Sequence, residues 1–161
     1  MLQIGVIGAG SASDSEKAVA KAVGSEIAGR GHILVCGGRG GVMEAAAKGA
    51  KNAGGLTVGI LPGESAGDAN QYIDVKIVTA MSHARNAIIA RSADALIAIG
   101  GGSGTLSEIA LGLKIGRPVV LVEGALPDFY PTSQDVMVAK NPCHALDISE
   151  RNIRLLKEAK T

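Results

Sequence analysis

The chain has no tryptophan, two tyrosines and one phenylalanine, so aromatics make up 2% of its 161 residues. That leaves no set of stacking platforms for single-stranded nucleic acid, and a formal charge of +1 leaves no basic footprint for a polyanion. No nucleic-acid partner is expected. Only two cysteines occur, far apart, and neither Cys36 nor Cys143 stands with His32, His83 or His144 in a zinc-ligand spacing. The expectation is no metal site, and two free thiols in a reducing compartment. No stretch approaches the roughly 18 continuous apolar residues of a membrane span. The apolar run at residues 2–7 is too short for a signal-peptide core and lacks a basic flank. A cytoplasmic setting with no membrane partner follows as the expectation.

Hydrophobic residues make up 47% of the chain. With Tyr72, Phe129 and Tyr130 as the whole aromatic inventory, the core must be built from Ala, Val, Ile and Leu. The length suits one domain spanning 1–161, able to bury a core without disulfides or a structural metal.

Short apolar runs without polar alternation recur at residues 4–7, 33–36, 56–61, 75–78, 95–99 and 119–122. Strands covered on both faces read this way. Helical periodicity fills most of the gaps, at 13–28, 42–53, 82–92 and 106–114, and the alternation argues for βαβ units around a parallel sheet. Ser13 with Glu16 predicts a capping box, and Gly29 and Gly31 predict the end of that first helix. A last helix is expected from Asp147, with Glu150 as its capping partner, to the C-terminus. Residues 62–71 and 123–142, the latter with three of the five prolines, are expected as loops near a ligand or a subunit contact.

Glycine is the abundant residue, with 23 in the chain. In an open parallel sheet, ligands bind at the carboxyl ends of strands, where turns enter helices whose first N–H groups lack partners. Three strands end in glycine-rich turns of this kind.

The first turn, Gly8-Ala9-Gly10-Ser11-Ala12-Ser13, approaches the dinucleotide fingerprint but has Ser in place of the third glycine. The second strand ends in Cys36 rather than an acid for the ribose, which disfavours NAD-dependent hydride transfer. The second turn is Gly37-Gly38-Arg39-Gly40-Gly41; Arg39 could pair with a phosphate or stand solvated, and Glu44 suits the helix dipole. The third, Gly100-Gly101-Gly102-Ser103-Gly104-Thr105, is the most specific. Its run of backbone N–H groups, with the hydroxyls of Ser103 and Thr105, forms a nest for phosphate, and no Gly-Lys-Ser/Thr follows, so it is not a Walker loop. The expected ligand-binding set is Gly8, Gly10, Ser11, Gly37, Gly38, Arg39, Gly40, Gly101, Gly102, Ser103, Gly104 and Thr105. His83 reads as a polar helix-start residue, and Asp94 as support for the strand that follows it.

Arg85, followed by Gly101-Gly102-Ser103-Gly104-Thr105-Leu106-Ser107-Glu108, resembles the Lonely Guy (LOG) family of nucleotide phosphoribohydrolases, often labelled lysine decarboxylases. Longer strings, Gly37-Gly38-Arg39-Gly40-Gly41-Val42-Met43-Glu44, Gly59-Ile60-Leu61-Pro62-Gly63, Arg85-Asn86 and Gly104-Thr105-Leu106-Ser107-Glu108-Ile109, are similar to a smaller branch containing molybdenum-cofactor carrier proteins. The resemblance implies a Rossmann-like three-layer αβα α/β fold with a mostly parallel sheet of about six to seven strands. It implies Arg85 and Glu108 as catalytic residues where there is turnover. Glu108 would hold ribose hydroxyls and orient a water as the N-glycosidic bond of a nucleoside 5′-monophosphate breaks to free base and ribose 5-phosphate. Arg85 would neutralise phosphate or stabilise the departing base. A non-catalytic carrier of molybdenum cofactor or a signalling nucleotide is the alternative. In either case the resemblance implies no required cofactor, a phosphorylated nucleotide-like partner and a homodimer or homotetramer; the apolar residues 109–113 are a candidate contact or equally core.

Two positions depart from the hydrolases: Gly100 stands where they typically have Pro, and Asn86 where they have a basic residue. Lysine decarboxylation itself is set aside, because no lysine lies in or beside the three turns to form a Schiff base with pyridoxal phosphate.

Overall fold

The computed structural model describes residues 1–128 and 135–160. The chain runs β1 (Gln3–Gly8), α1 (Asp14–Gly29), β2 (Ile33–Cys36), α2 (Val42–Asn52), β3 (Thr57–Leu61), β4 (Val75–Val78), α3 (Asn86–Ser92), β5 (Ala95–Ile99), α4 (Ser103–Lys114), β6 (Val119–Val122), β7 (Val136–Ala139) and α5 (Pro142–Glu158). Single 3₁₀ turns sit at Ala66–Asp68 and Ser82–Arg85.

The strands form one seven-stranded sheet in the order β4-β3-β2-β1-β5-β6-β7, with every described pairing parallel. Helices cover both faces, giving the three-layer Rossmann-like α/β fold. One core is built on α1, α2 and α5 through residues such as Val23, Ile27, Ala46 and Leu146. The opposite core lies under α3 and α4 through Ile89, Ala90 and Ile109. Both are aliphatic, as the shortage of aromatics requires. Helices α1 and α2 pack at a small-residue seam: a Cβ on Gly24 would strike the carbonyl of Ala46, and one on Gly49 the carbonyl of Lys21.

The order of the strands reverses at β1, whose neighbours are β2 on one side and β5 on the other. Ligands of doubly wound sheets bind at such a switch point. Gly8 pairs in register with Ile99, so the turns leaving β1 and β5 emerge side by side. Asp94 steadies the base of this pair, accepting a bond from the Gln3 amide at 2.9 Å while its own amide donates to the Gln3 carbonyl at 2.7 Å.

Several boundaries differ from the sequence reading. The expected loop at 123–142 contains β7, which adds a parallel edge strand beside β6; residues 129–134 of that loop lie outside the described residues. Helix α5 starts at Pro142 rather than Asp147. Asn141 caps it by accepting the His144 amide at 2.9 Å, with Pro142 in the first turn, where its missing N–H costs nothing. Asp147 and Glu150 instead hold Arg30, both at Nη1, at 2.8 and 3.0 Å. Thr161, the end of the expected helix, lies outside the described residues. The stretch 82–92 is a 3₁₀ turn followed by α3, and α4 begins at Ser103, three residues before the periodicity shows. In the candidate contact at 109–113, Ile109 and Gly112 face the core, which leaves Leu111 and Leu113 partly exposed.

Candidate functional site

A cavity of about 440 Å³ opens at the carboxyl ends of β1, β2 and β5. It gathers Gly8, Gly10, Ser11, Gly37, Arg85, Gly102, Ser103, Gly104, Thr105 and Glu108 from the residues singled out in the sequence, and adds Met43, His83 and Asn86. Gly38, Arg39, Gly40 and Gly101 do not line it. Gly38 takes a φ of +75° with its α-carbon side packed against Leu61 and Gly59, a backbone role. Arg39 is exposed, and its carbonyl accepts a bond from Asn70 Nδ2 at 2.8 Å. Gly101 has φ +95°, and a Cβ there would strike the Thr105 side chain, so this glycine lets the turn close over α4.

The helices that follow the three turns begin differently: α2, like α4, has a glycine cap without a side-chain bond, but its Val42 amide donates to the Ala9 carbonyl at 3.0 Å. α1 is closed by its own residues: Ser13 Oγ accepts the Glu16 amide at 3.2 Å, and Glu16 accepts the Ser13 amide at 2.8 Å. The capping box thus satisfies the Glu16 amide of the first turn and the amide of Ser13 internally. α4 is capped by Gly102 with no side-chain bond, which leaves the amides of Ser103, Gly104 and Thr105 directed at the cavity end of the helix. The Thr105 side chain is buried at that same end.

One turn into α4, Glu108 is 8% exposed, and its carboxyl makes no hydrogen bond or close ion pair among the described residues. Burial pushes its pKa up from 4.5 to about 7, against the pull of the Arg85 charge. Across the cavity, Arg85 donates from Nη1 to the Ile60 carbonyl at 2.9 Å, while its buried Nε has no partner among the described residues. Burial lowers the Arg85 pKa, the charges of Glu108 and Cys36 raise it, and Arg39 lowers it further. Gly37 makes room for this guanidinium: a Cβ there would overlap Arg85 Nη1. Cys36 is fully buried beneath, its thiol pushed up to about 11, an inert packing group.

Arg85 is delivered by backbone the sequence did not announce. Ala80 and Ser82 hold φ of +51° and +50°, a region non-glycine residues enter at a cost of about 1–3 kcal/mol each. The segment is pinned by the Ala80 amide on Gly63 O at 2.9 Å, the Ser82 amide on Pro62 O at 3.0 Å, and Thr79 Oγ1 on Leu61 O at 2.6 Å. Asn86, next to Arg85, joins α3 to α4: its Nδ2 donates to Ser107 Oγ at 3.0 Å, and Ser107 donates to the Gly104 carbonyl at 2.6 Å.

A groove of about 420 Å³ on the outer side of α1 and α2, lined by Lys17, Lys21, Lys48 and Tyr72, matches the cavity in volume. Its lysines are all exposed and no buried polar group points into it, so the cavity at the strand ends is the better candidate. Among the described residues no group of three or more His, Cys, Asp or Glu could hold a metal ion, and no helix is long and apolar enough to cross a membrane.

Residues 1–149 match the SLOG cluster4 family. An uncharacterized protein from Archaeoglobus fulgidus is 52% identical over 130 residues, 77% of this chain and 85% of that one. A cytokinin riboside 5′-monophosphate phosphoribohydrolase from Mycobacterium tuberculosis is 37% identical over 65% of this chain and 61% of the enzyme. Among solved structures, the molybdenum cofactor binding protein of Rippkaea orientalis is 39% identical, with a TM-score of 0.81 over 99% of this chain and 98% of that one. The molybdenum cofactor carrier protein of Chlamydomonas reinhardtii is 36% identical, with a TM-score of 0.84 over 96% and 99%.

Proposed function

The chain belongs to the SLOG cluster4 family, and we propose that it binds a phosphate-bearing, nucleotide-like small molecule in the cavity at the amino end of α4 and carries it unchanged. The observation that carries this reading is the contrast between helix ends: α1 is capped by its own Ser13 and Glu16, whereas the α4 amides are left for a ligand beside the unpartnered Glu108. An anion there gains from the amides and the helix dipole together. Arg85, Gly8, Gly10, Ser11 and Gly37 complete the walls around the ligand.

Likeness over almost the whole chain to proteins described as binding or carrying molybdenum cofactor supports such a cofactor as the cargo. In the cavity its phosphate would meet the amides of 103–105, and its heterocycle would lie toward Arg85 and Asn86. The chain needs no metal ligands of its own for that task.

A second reading is favoured by Glu108 itself. A carboxyl with a pKa near 7, facing an arginine, is suited to orient and deprotonate water at an N-glycosidic bond of a nucleoside 5′-monophosphate. The shorter likeness to a phosphoribohydrolase points the same way. Incubating the protein with a panel of nucleoside 5′-monophosphates separates the two: free base and ribose 5-phosphate released by the wild type and not by Glu108→Ala would establish the hydrolase. Stoichiometric binding without release supports the carrier. In both readings we place the protein in the cytoplasm as a homodimer or homotetramer without nucleic-acid partners, an assembly that light scattering on a sizing column measures directly.

A further inference from the structure

We propose that Asn86 reads the heterocycle of the ligand, its Oδ1 accepting a hydrogen bond from a ring N–H or an exocyclic amine. The inference rests on the cavity at α4 being the ligand site and deepens that reading by naming what the ligand must present.

The argument is one of hydrogen-bond direction. The Gly104 carbonyl can only accept, so Ser107 spends its single hydroxyl proton on it, at 2.6 Å. Ser107 Oγ must then accept from Asn86, at 3.0 Å, which fixes the amide with Nδ2 toward Ser107. The opposite edge, Oδ1, is thereby held as an acceptor. Asn86 is 8% exposed, lines the cavity, and its Oδ1 has no protein partner among the described residues. An acceptor with a locked orientation, left accessible at the cavity wall, favours ligands that supply a donor and penalises those that cover it unpaired. The adjacent Arg85 offers only donors, so the pair presents complementary chemistry: a cation for the phosphate or ring acceptors, a neutral acceptor for a ring donor.

The test is calorimetric, with two pairs of probes: adenosine 5′-monophosphate against purine riboside 5′-monophosphate, which lacks the 6-amino group, and guanosine 5′-monophosphate against its N1-methyl form. Ribose 5-phosphate serves as the ring-free reference. The wild type separates at least one pair by about three- to tenfold. Asn86→Leu brings that ratio to about one. The ratio is the informative quantity, because a merely structural loss weakens both members of a pair alike. Binding of ribose 5-phosphate with neither pair separated, or a ratio that survives Asn86→Leu, overturns the assignment while leaving the phosphate reading intact. Failure of ribose 5-phosphate and of all four nucleotides to bind overturns both.

Discussion

The guanidinium of Arg85 occupies the space that a side chain on Gly37 would need: an added Cβ overlaps Nη1 and lies 2.9 Å from Cζ. The second glycine turn therefore serves the site by letting the Arg85 guanidinium cross the end of β2. Gly37→Ala is expected to push Arg85 off the Ile60 carbonyl and weaken ligand binding by about tenfold or more, while the melting temperature moves by only a few degrees, since the clash is with a flexible side-chain tip. Calorimetry alongside thermal melting checks both halves.

Glu108 ties stability to pH with a definite sign. Its folded pKa, about 7, lies above its ordinary 4.5, so between those values the native protein keeps a proton that the unfolded chain has lost. Stability from this group is full below about pH 4.5, falls as pH rises to 7, and is flat beyond. Glu108→Gln removes that slope and stabilises the protein at pH 8 by up to about 3 kcal/mol. Urea unfolding of both proteins at pH 5 and pH 8 measures it.

The seam between α1 and α2 tolerates no methyl group. Gly24→Ala and Gly49→Ala each drive a Cβ into a backbone carbonyl that cannot move without shifting its helix. Each is expected to cost about 1–3 kcal/mol or more in urea denaturation, and binding is expected to fall only through the fraction unfolded.

The start of α5 gives a paired comparison. Asn141→Ala removes a cap and costs about 1 kcal/mol. Asp147→Ala removes an exposed ion pair with Arg30 and costs well under 1 kcal/mol. The opposite ranking in chemical denaturation would return the helix start to Asp147.

Much of the fold was legible because parallel strands leave uninterrupted apolar runs and the turns after them are written in glycine. β7 was not, because Val136–Ala139 is four residues long and sits among prolines that mask its run. The α5 start was misread from the same cause: Pro142 reads as a breaker until Asn141 is recognised as the cap that makes it a first-turn residue. In the site, the third turn is legible from its own residues, and Arg85 and Glu108 by resemblance. Asn86 stands in the sequence only as part of the Arg85-Asn86 string and as a departure from the hydrolases, and His83 only as a polar helix-start residue, since such a residue looks ordinary until α3 is set against α4. The strained φ values at Ala80 and Ser82 left no trace in residue type.

The most direct test of the account removes one amide from the amino end of α4, with Ser103→Ala as the control for the hydroxyl that leaves with it. Ser103 occupies the first helical position, where proline is well accommodated, so Ser103→Pro deletes an N–H while preserving the helix. Calorimetric titration of ribose 5-phosphate is expected to give one site per chain in the wild type and a loss of about tenfold in Ser103→Pro at unchanged melting temperature. Undiminished affinity in that variant would contradict the claim that the α4 amides hold the phosphate.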